Sequence, residues 1–156
     1  MKQFVFTMLF ALSGAAYTVV NASAAGDLSK QDPIEVRVEL GTTAGDLVFI
    51  PNDLTFETGK LYKLVLTNPS GKKHYFTSLG LASKVYTRKV QVVGPGRTIA
   101  EIKGAIREIE VYPGGTSEWW LVPVATGQIS DLHCRIKDDD GKTHAQKGMV
   151  GKIAIE

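Results

Sequence analysis

The feature that most constrains the fold of this chain is a two-residue alternation of apolar and polar side chains. It is cleanest in residues 34–40, IEVRVEL, and it returns in residues 61–68, LYKLVLTN, and 106–112, IREIEVY. A two-residue period places successive side chains on opposite faces of a β-strand. No stretch of the sequence shows the 3.6-residue period of a helix of ten or more residues. The chain is therefore predicted to be all-β.

Turn-forming residues separate these runs at fairly regular spacing. Proline and glycine occur in PSGKK, GPG and PGGT, and these residue types supply the backbone conformations of tight turns. Further β-forming runs are SEWWLVPV, GQISDLHC and the closing MVGKIAIE. Residues 77–105 are harder to interpret, and TIAEIKGA within them fits either a strand or a helical turn. Seven or eight short strands joined by such turns predict a β-sandwich or a barrel.

The first 24 residues are predicted to be a signal peptide and not part of the fold. Lys2 is followed by a mostly apolar run over residues 4–16, and residues 22–24, Ala-Ser-Ala, form an A-x-A cleavage site. An uncleaved membrane anchor is the alternative, although the apolar run is short for a span of about 20 residues. The mature domain is expected to be residues 25–156, exported, and periplasmic if the source is a Gram-negative bacterium.

The charge balance excludes some classes of partner. The whole chain carries a formal charge of +2, and loss of Lys2 with the leader brings the mature domain closer to neutrality. Nucleic-acid-binding domains carry a strongly basic face, so no nucleic-acid partner is expected. No second long apolar stretch follows the leader, so no stable membrane association is expected after cleavage.

Cys134 is the only cysteine of the chain and lies in an unusual setting. It shares the stretch DLHCRIKDDDGKTHAQKGMVG with His133, His144 and Met149. A lone cysteine cannot form a disulfide within its own chain. It is a buried apolar residue, a reactive thiol, an intermolecular crosslink or a metal ligand.

The spacing of these residues favours the metal-ligand interpretation. Nine residues separate Cys134 from His144, four separate His144 from Met149, and His74 follows an earlier strand and its turn. One thiolate, two imidazoles and a distant thioether make up the ligand set of a blue-copper electron-transfer site. Zinc is the competing metal, but its structural sites use four nitrogen or sulfur ligands without a thioether.

With these residues in place, the sequence from residue 34 onward resembles the cupredoxins, the blue-copper family. The resemblance is strongest in FIPNDLTFETGKLYKLVLTN, KKHYF, VYPGGTSEWWLVPVATG and HCRIKDDDGKTHAQKGMVGKIAI. It implies a Greek-key β-sandwich of seven to eight strands. It also implies that His74, Cys134, His144 and Met149 bind one copper ion, Cu(I) or Cu(II), at one end of the sandwich. The outer edge of His144 is then expected to meet solvent or a partner as the electron port.

Two features depart from the compact electron carriers of that family. The stretch between Cys134 and His144 is longer than usual, and its length is nearer that of the copper nitrite reductases. It contains KDDDGK, which is expected to be a solvated turn; calcium is an alternative, but the spacing of an EF-hand loop is missing. His133 also resembles those enzymes, in which the matching histidine binds a second copper.

Strand alternation makes predictions about two pairs of neighbouring side chains. His133 should point away from Cys134, which favours a surface or packing role over a metal role. Of Trp119 and Trp120, one should face the core and the other the surface.

The resemblance implies a soluble exported protein that is not an enzyme. It would carry single electrons between redox partners such as cytochromes or oxidoreductases, and we expect a monomer. A module for copper delivery, storage or sensing is the alternative, since the same ligands would serve it. A nitrite reductase-like enzyme fits less well, because its catalytic copper needs three histidines beyond the first site, and only His133 is left.

Overall fold

The computed structural model describes residues 31–156. The predicted signal peptide, residues 1–24, and the expected domain boundary at residue 25 lie outside the described residues. The described residues form eleven strands, one short α-helix and one short 3-10 helix, Ala145–Lys147. The strands are β1 Ile34–Leu40, β2 Phe49–Ile50, β3 Asp53–Phe56, β4 Tyr62–Thr67, β5 His74–Thr77, β6 Val85–Gly94, β7 Arg97–Ile102, β8 Glu108–Val111, β9 Thr116–Pro123, β10 Gly127–His133 and β11 Val150–Ile155; the helix, α1, is Leu79–Ala82.

The strands form two sheets, which confirms the predicted all-β sandwich. One sheet has the order β2-β1-β4-β9-β6-β7 and the other β3-β11-β10-β5-β8. The pairs β1–β4 and β3–β11 are parallel, while the other paired strands are antiparallel. The predicted count of seven to eight strands was too low. The two-residue β2 and the four-residue β3 are too short to show a period, and β7 is exposed along its whole length.

The core lies between the two sheets and follows the predicted alternation. In β4 the side chains of Tyr62, Leu64 and Leu66 are buried, as the pattern in LYKLVLTN indicated. In β9 the indole of Trp119 is 1% exposed, and its Nε1 donates a hydrogen bond to Thr87. Burial of apolar side chains of this size, at about 1.5–3 kcal/mol each, is the main force that holds the sheets together.

Trp120 faces outward, which confirms the prediction that one of Trp119 and Trp120 faces the core and the other the surface. Trp120 is only partly buried, and its ring lies within reach of the charged groups of Lys63, Arg88 and Lys89. Cations placed over an indole face are attracted by the negative face of the ring. On the outer surface of this sheet, Trp120 therefore lies under basic side chains.

The sheet topology brings three predicted ligands to one end of the sandwich. β5 is antiparallel to β10, so His74 at the start of β5 lies near the end of β10, where Cys134 follows. β11 is also antiparallel to β10, with His133 opposite Val150, so Met149 lies beside Cys134.

No helix within residues 31–156 is long and apolar enough to cross a membrane.

Candidate metal centre

Three of the predicted ligands form a compact group of donor atoms. The Nδ1 atoms of His74 and His144 are 3.1 Å apart. The Sγ atom of Cys134 lies 3.4 Å from Nδ1 of His144 and 3.9 Å from Nδ1 of His74. All three residues are fully buried. Among the residues that the structure describes, this is the one cluster of histidine, cysteine or acidic side chains with the spacing to hold a metal ion.

The size of this triangle fits a first-row metal ion. The point equidistant from the three donor atoms lies about 2.0 Å from each of them, as the three separations require. Metal–nitrogen bonds of about 2.0–2.1 Å and metal–sulfur bonds of about 2.3 Å are typical of such ions. One thiolate and two imidazoles are the trigonal donor set of blue-copper sites. The donor group therefore fits a single copper ion.

A chain of hydrogen bonds holds the His74 ring with Nδ1 turned toward the other ligands. The Oγ atom of Ser70 lies 2.9 Å from Nε2 of His74, and the Ser70 hydroxyl is also close to the side-chain oxygen Oδ1 of Asn68 and the backbone carbonyl oxygen of Lys72. Because those oxygens can only accept, the hydroxyl donates to one of them and accepts the proton of Nε2. This arrangement leaves the Nδ1 lone pair of His74 free for a metal.

The backbone of Gly41 packs against this hydrogen-bonded pair. A Cβ atom at this position would lie 2.8 Å from Nε2 of His74 and 2.9 Å from the Cβ of Ser70. The φ angle of Gly41 is 75°, in the region that favours glycine. Only glycine fits here without displacing the His74 ring.

Burial sets the protonation of the His74 and Cys134 side chains. Burial, and secondly the nearby His144, lower the pKa of His74 to about 4, so its ring is neutral at physiological pH. Burial also raises the pKa of the Cys134 thiol, opposed by the backbone N–H of Tyr75, whose nitrogen lies 3.3 Å from Sγ. A neutral imidazole is ready to bind a metal, and a thiol must lose its proton to do so.

The backbone places Met149 directly beside Cys134 and His144. Its side chain is fully buried. Its N–H donates to the carbonyl of His144, and its own carbonyl accepts from the N–H of Cys134. A short 3-10 helix, Ala145–Lys147, follows His144, and Gly148 with a φ of 106° turns the chain into Met149. Met149 is thus held at the same end of the core as His74, Cys134 and His144, and its role as a fourth ligand stays a prediction.

The structure contradicts the predicted electron port at His144. Its side chain is 0% exposed, and Nε2, the edge expected to reach solvent, lies 3.2 Å from Oδ1 of Asp138. The stretch between Cys134 and His144 folds back over the ring as a hairpin, closed by a bridge between Lys137 and Thr143. This hairpin separates the ring from solvent.

Asp138 contacts the site although the sequence indicated no role for it, as is also true of Ser70 and Gly41. KDDDGK was expected to be a solvated turn, but the side chain of Asp138 is only 18% exposed. Its Oδ1 accepts from Nζ of Lys72 at 2.7 Å, and its Oδ2 accepts from Nζ of Lys147 at 2.7 Å. Hydrogen bonds from Lys147 and Lys72 hold the pKa of Asp138 well below its usual range. Three adjacent aspartates gave no sequence signal for which one turns inward.

His133 lies apart from the donor group, on the other side of the strand. Its Nδ1 is 2.7 Å from the carbonyl oxygen of Asp131, and its partly buried ring lines a shallow groove with Thr77, Glu108 and Arg135. Strand alternation produces this separation from Cys134, as predicted. The placement fits a packing role for His133.

No protein-family model matches the sequence, and no curated protein matches it either. Solved structures do resemble its fold. The Cu-containing nitrite reductase (NirK) of Thermus scotoductus SA-01 is 12% identical, with a TM-score of 0.56 over 81% of this chain and 32% of that chain. A multi-copper oxidase of Pediococcus acidilactici is 14% identical, with a TM-score of 0.55 over 81% of this chain and 27% of that chain.

A multicopper oxidase of Campylobacter jejuni is 15% identical, with a TM-score of 0.52 over 80% of this chain and 30% of that chain. The chain thus spans about a third of the length of the copper enzymes it resembles, and at these identities the likeness concerns the fold. Two packed sheets with a buried His-Cys-His group at one end agree with that likeness. The described chain has a cupredoxin-like fold, a β-sandwich of two sheets.

Proposed function

We propose that this protein carries single electrons between redox partners through a copper ion bound by His74, Cys134, His144 and Met149. The observation that carries the proposal is the buried triangle of two Nδ1 atoms and one Sγ atom, with edges of 3.1, 3.4 and 3.9 Å. Copper bound there supplies a Cu(I)/Cu(II) couple. Met149, held by backbone hydrogen bonds to Cys134 and His144, is the weak fourth ligand.

The protein's part in electron transfer is to keep the ligands in one arrangement. His74 and Cys134 are attached to adjacent strands of one sheet, and Ser70 holds the His74 ring from behind. A ligand set held in place by the sheet changes little between oxidation states, so little reorganisation accompanies the arrival of an electron.

Burial of the ligands supports a carrier over an enzyme. His74, Cys134 and His144 are all 0% exposed, so none of the three side chains offers an open coordination position to solvent in the described structure. Catalytic metal sites instead keep an open coordination position. The same burial opposes rapid hand-over of the ion, which a module for copper delivery needs. We therefore propose that the chain is not an enzyme.

We also propose an exported protein, on the basis of the sequence. The leader-like residues 1–24 support export, and the mature domain would meet its partners outside the cytoplasm. We propose redox proteins, such as cytochromes or other oxidoreductases, as these partners, and a monomeric state for the carrier.

The visible absorption spectrum of the Cu(II)-loaded domain, residues 25–156, tests this function. We expect one copper per chain and an intense band from charge transfer between the Cys134 thiolate and copper. The band should vanish in Cys134→Ser, because a hydroxyl is a poor copper donor. It should persist in the matched control His133→Ala, which changes the neighbouring residue on the other side of the strand.

Two outcomes would contradict the proposal. A band that survives Cys134→Ser would remove the thiolate from the site. Copper that passes to a chelator within seconds, combined with slow electron exchange in voltammetry, would favour the delivery module. Reversible one-electron voltammetry with retained copper is the expected result.

A further inference from the structure

The two histidines of the donor group are supported by different kinds of side chain. Nε2 of His74 meets the neutral hydroxyl of Ser70 at 2.9 Å. Nε2 of His144 meets the carboxylate of Asp138 at 3.2 Å. Both rings turn Nδ1 toward Cys134, so the two histidines differ only in the group that contacts Nε2, on the side of the ring away from Cys134. A carboxylate behind a metal-binding imidazole fixes its tautomer and raises its basicity.

We propose that Asp138 is a positioning residue that holds His144 on copper and stabilises Cu(II) over Cu(I). The inference rests on the proposed function. When Nδ1 of His144 binds a metal, its proton is on Nε2, and that N–H donates to Oδ1 of Asp138. The negative charge behind the ring increases electron donation through the imidazole, and the more highly charged ion gains more from it.

Asp138 is itself held in place by lysines from both sides of the site. Lys72 precedes His74 in the chain, and Lys147 follows His144; each Nζ lies 2.7 Å from one oxygen of the Asp138 carboxylate. The carboxylate therefore connects the loop before the first ligand to the loop that carries the last ligands. Lys72 and Lys147 offset part of its charge, but the oxygen that meets His144 stays in contact with the ring.

The hairpin that carries Asp138 keeps this contact away from water. The N–H of Asp138 donates to the carbonyl of Lys142, and the N–H of His144 donates to the carbonyl of Ile136. These bonds fix the carboxylate over the ring, where screening by solvent is weaker than at an exposed surface. Asp138 is thus placed to act on the metal site through His144 without touching the metal.

The test compares Asp138→Asn with Asp140→Asn. Asn keeps the size of the side chain and removes the charge. Asp140 makes a salt bridge to the same lysine, Lys147, at 2.9 Å, and has no hydrogen bond to His144 in the described structure, so it is the matched control. We expect Asp138→Asn to lower Cu(II) affinity 10- to 100-fold, the usual loss for such partners, and to lower Cu(I) affinity less.

The reduction potential should therefore rise in Asp138→Asn and stay unchanged in Asp140→Asn. A tenfold larger loss for Cu(II) than for Cu(I) corresponds to about 59 mV in voltammetry. An unchanged potential in Asp138→Asn, in a protein that still shows the Cys134-dependent band, would overturn this inference and leave the proposed function intact. Absence of that band in the unsubstituted protein would overturn the proposed function.

A second measurement needs no variant and so does not depend on folding of a mutant. In the Cu(I) protein, proton–nitrogen NMR should show a proton on Nε2 of His144 that exchanges slowly with water, because Asp138 accepts it in a buried position. A fast-exchanging Nε2 proton, or none, would overturn the inference.

Discussion

The pH dependence of the stability of the copper-free protein follows from the environment of His74. Burial, and then the neighbouring His144, lower its pKa from 6.5 to about 4 in the folded chain. The unfolded chain therefore binds more protons than the folded one below pH 6.5. The contribution of His74 to the free energy of unfolding is fully present above pH 6.5 and is lost as the pH falls toward 4.

The size of the effect follows from this shift. The whole difference is worth about 3 kcal/mol, since each pKa unit corresponds to about 1.4 kcal/mol. Between pH 7 and pH 5 the expected loss in the free energy of unfolding is about 2 kcal/mol, with close to one proton taken up on unfolding at pH 5. In this window unperturbed carboxyl groups are still largely ionised, so their contribution is small.

Urea unfolding followed by tryptophan fluorescence measures this loss, because Trp119 is buried in the core. The reference is His74→Gln, which lacks the titrating ring. The free energy of unfolding should fall by about 2 kcal/mol more in the unsubstituted protein than in the variant between pH 7 and pH 5. Parallel curves for the two proteins would show that the His74 ring is not desolvated as described, and the reasoning would fail.

Two substitutions test other parts of the site. Met149→Leu should raise the reduction potential while the Cys134-dependent colour persists, because copper loses a weak donor that favours Cu(II), and a swap of similar volume costs less than about 1.5 kcal/mol; an unchanged or lower potential in voltammetry would exclude Met149 as a ligand. Gly41→Ala should destabilise the fold by about 1–3 kcal/mol and weaken copper binding, because its Cβ would displace His74. Gly45→Ala is its control, since it shares a positive φ but has open space around its Cβ; equal losses of copper affinity in a copper titration would contradict the steric argument.

The alternation in the sequence predicts the fold well wherever a strand has one buried and one exposed face. β9 comes nearest to this condition, because buried and partly buried side chains alternate from Thr116 to Leu121, and Trp119 and Trp120 lie on opposite faces as predicted. In β4 the inward residues Leu64 and Leu66 are buried, although Val65 on the other face is buried too. β7 does not meet the condition, because all six of its residues are exposed, and TIAEIKGA therefore fitted a helical turn as well as a strand. A pattern that arises from burial cannot mark a strand with no buried face.

The donor group was predictable because its residue types are rare in this chain. The structure brings His74, Cys134 and His144 together as the spacing and the family resemblance indicated. The surroundings were not predictable, because Ser, Gly and Asp are common. The role of Asp138 depends on a hairpin that closes between Lys137 and Thr143, and a contact of that kind has no signature in the sequence.

The hairpin over residues 135–143 covers His144, and this cover has a consequence for how copper reaches its ligands. Because His74, Cys134 and His144 are 0% exposed, an ion enters only when part of this cover moves aside. Such local openings have free energies below that of global unfolding, and their frequency limits any process that passes through them. We expect the hydrogen bonds of Lys72 and Lys147 to Asp138 to limit metal uptake and release. A strong chelator should remove copper at a rate that reaches a maximum as the chelator concentration rises. Loss of the hydrogen bonds from Lys72 and Lys147 to Asp138 should increase that maximal rate.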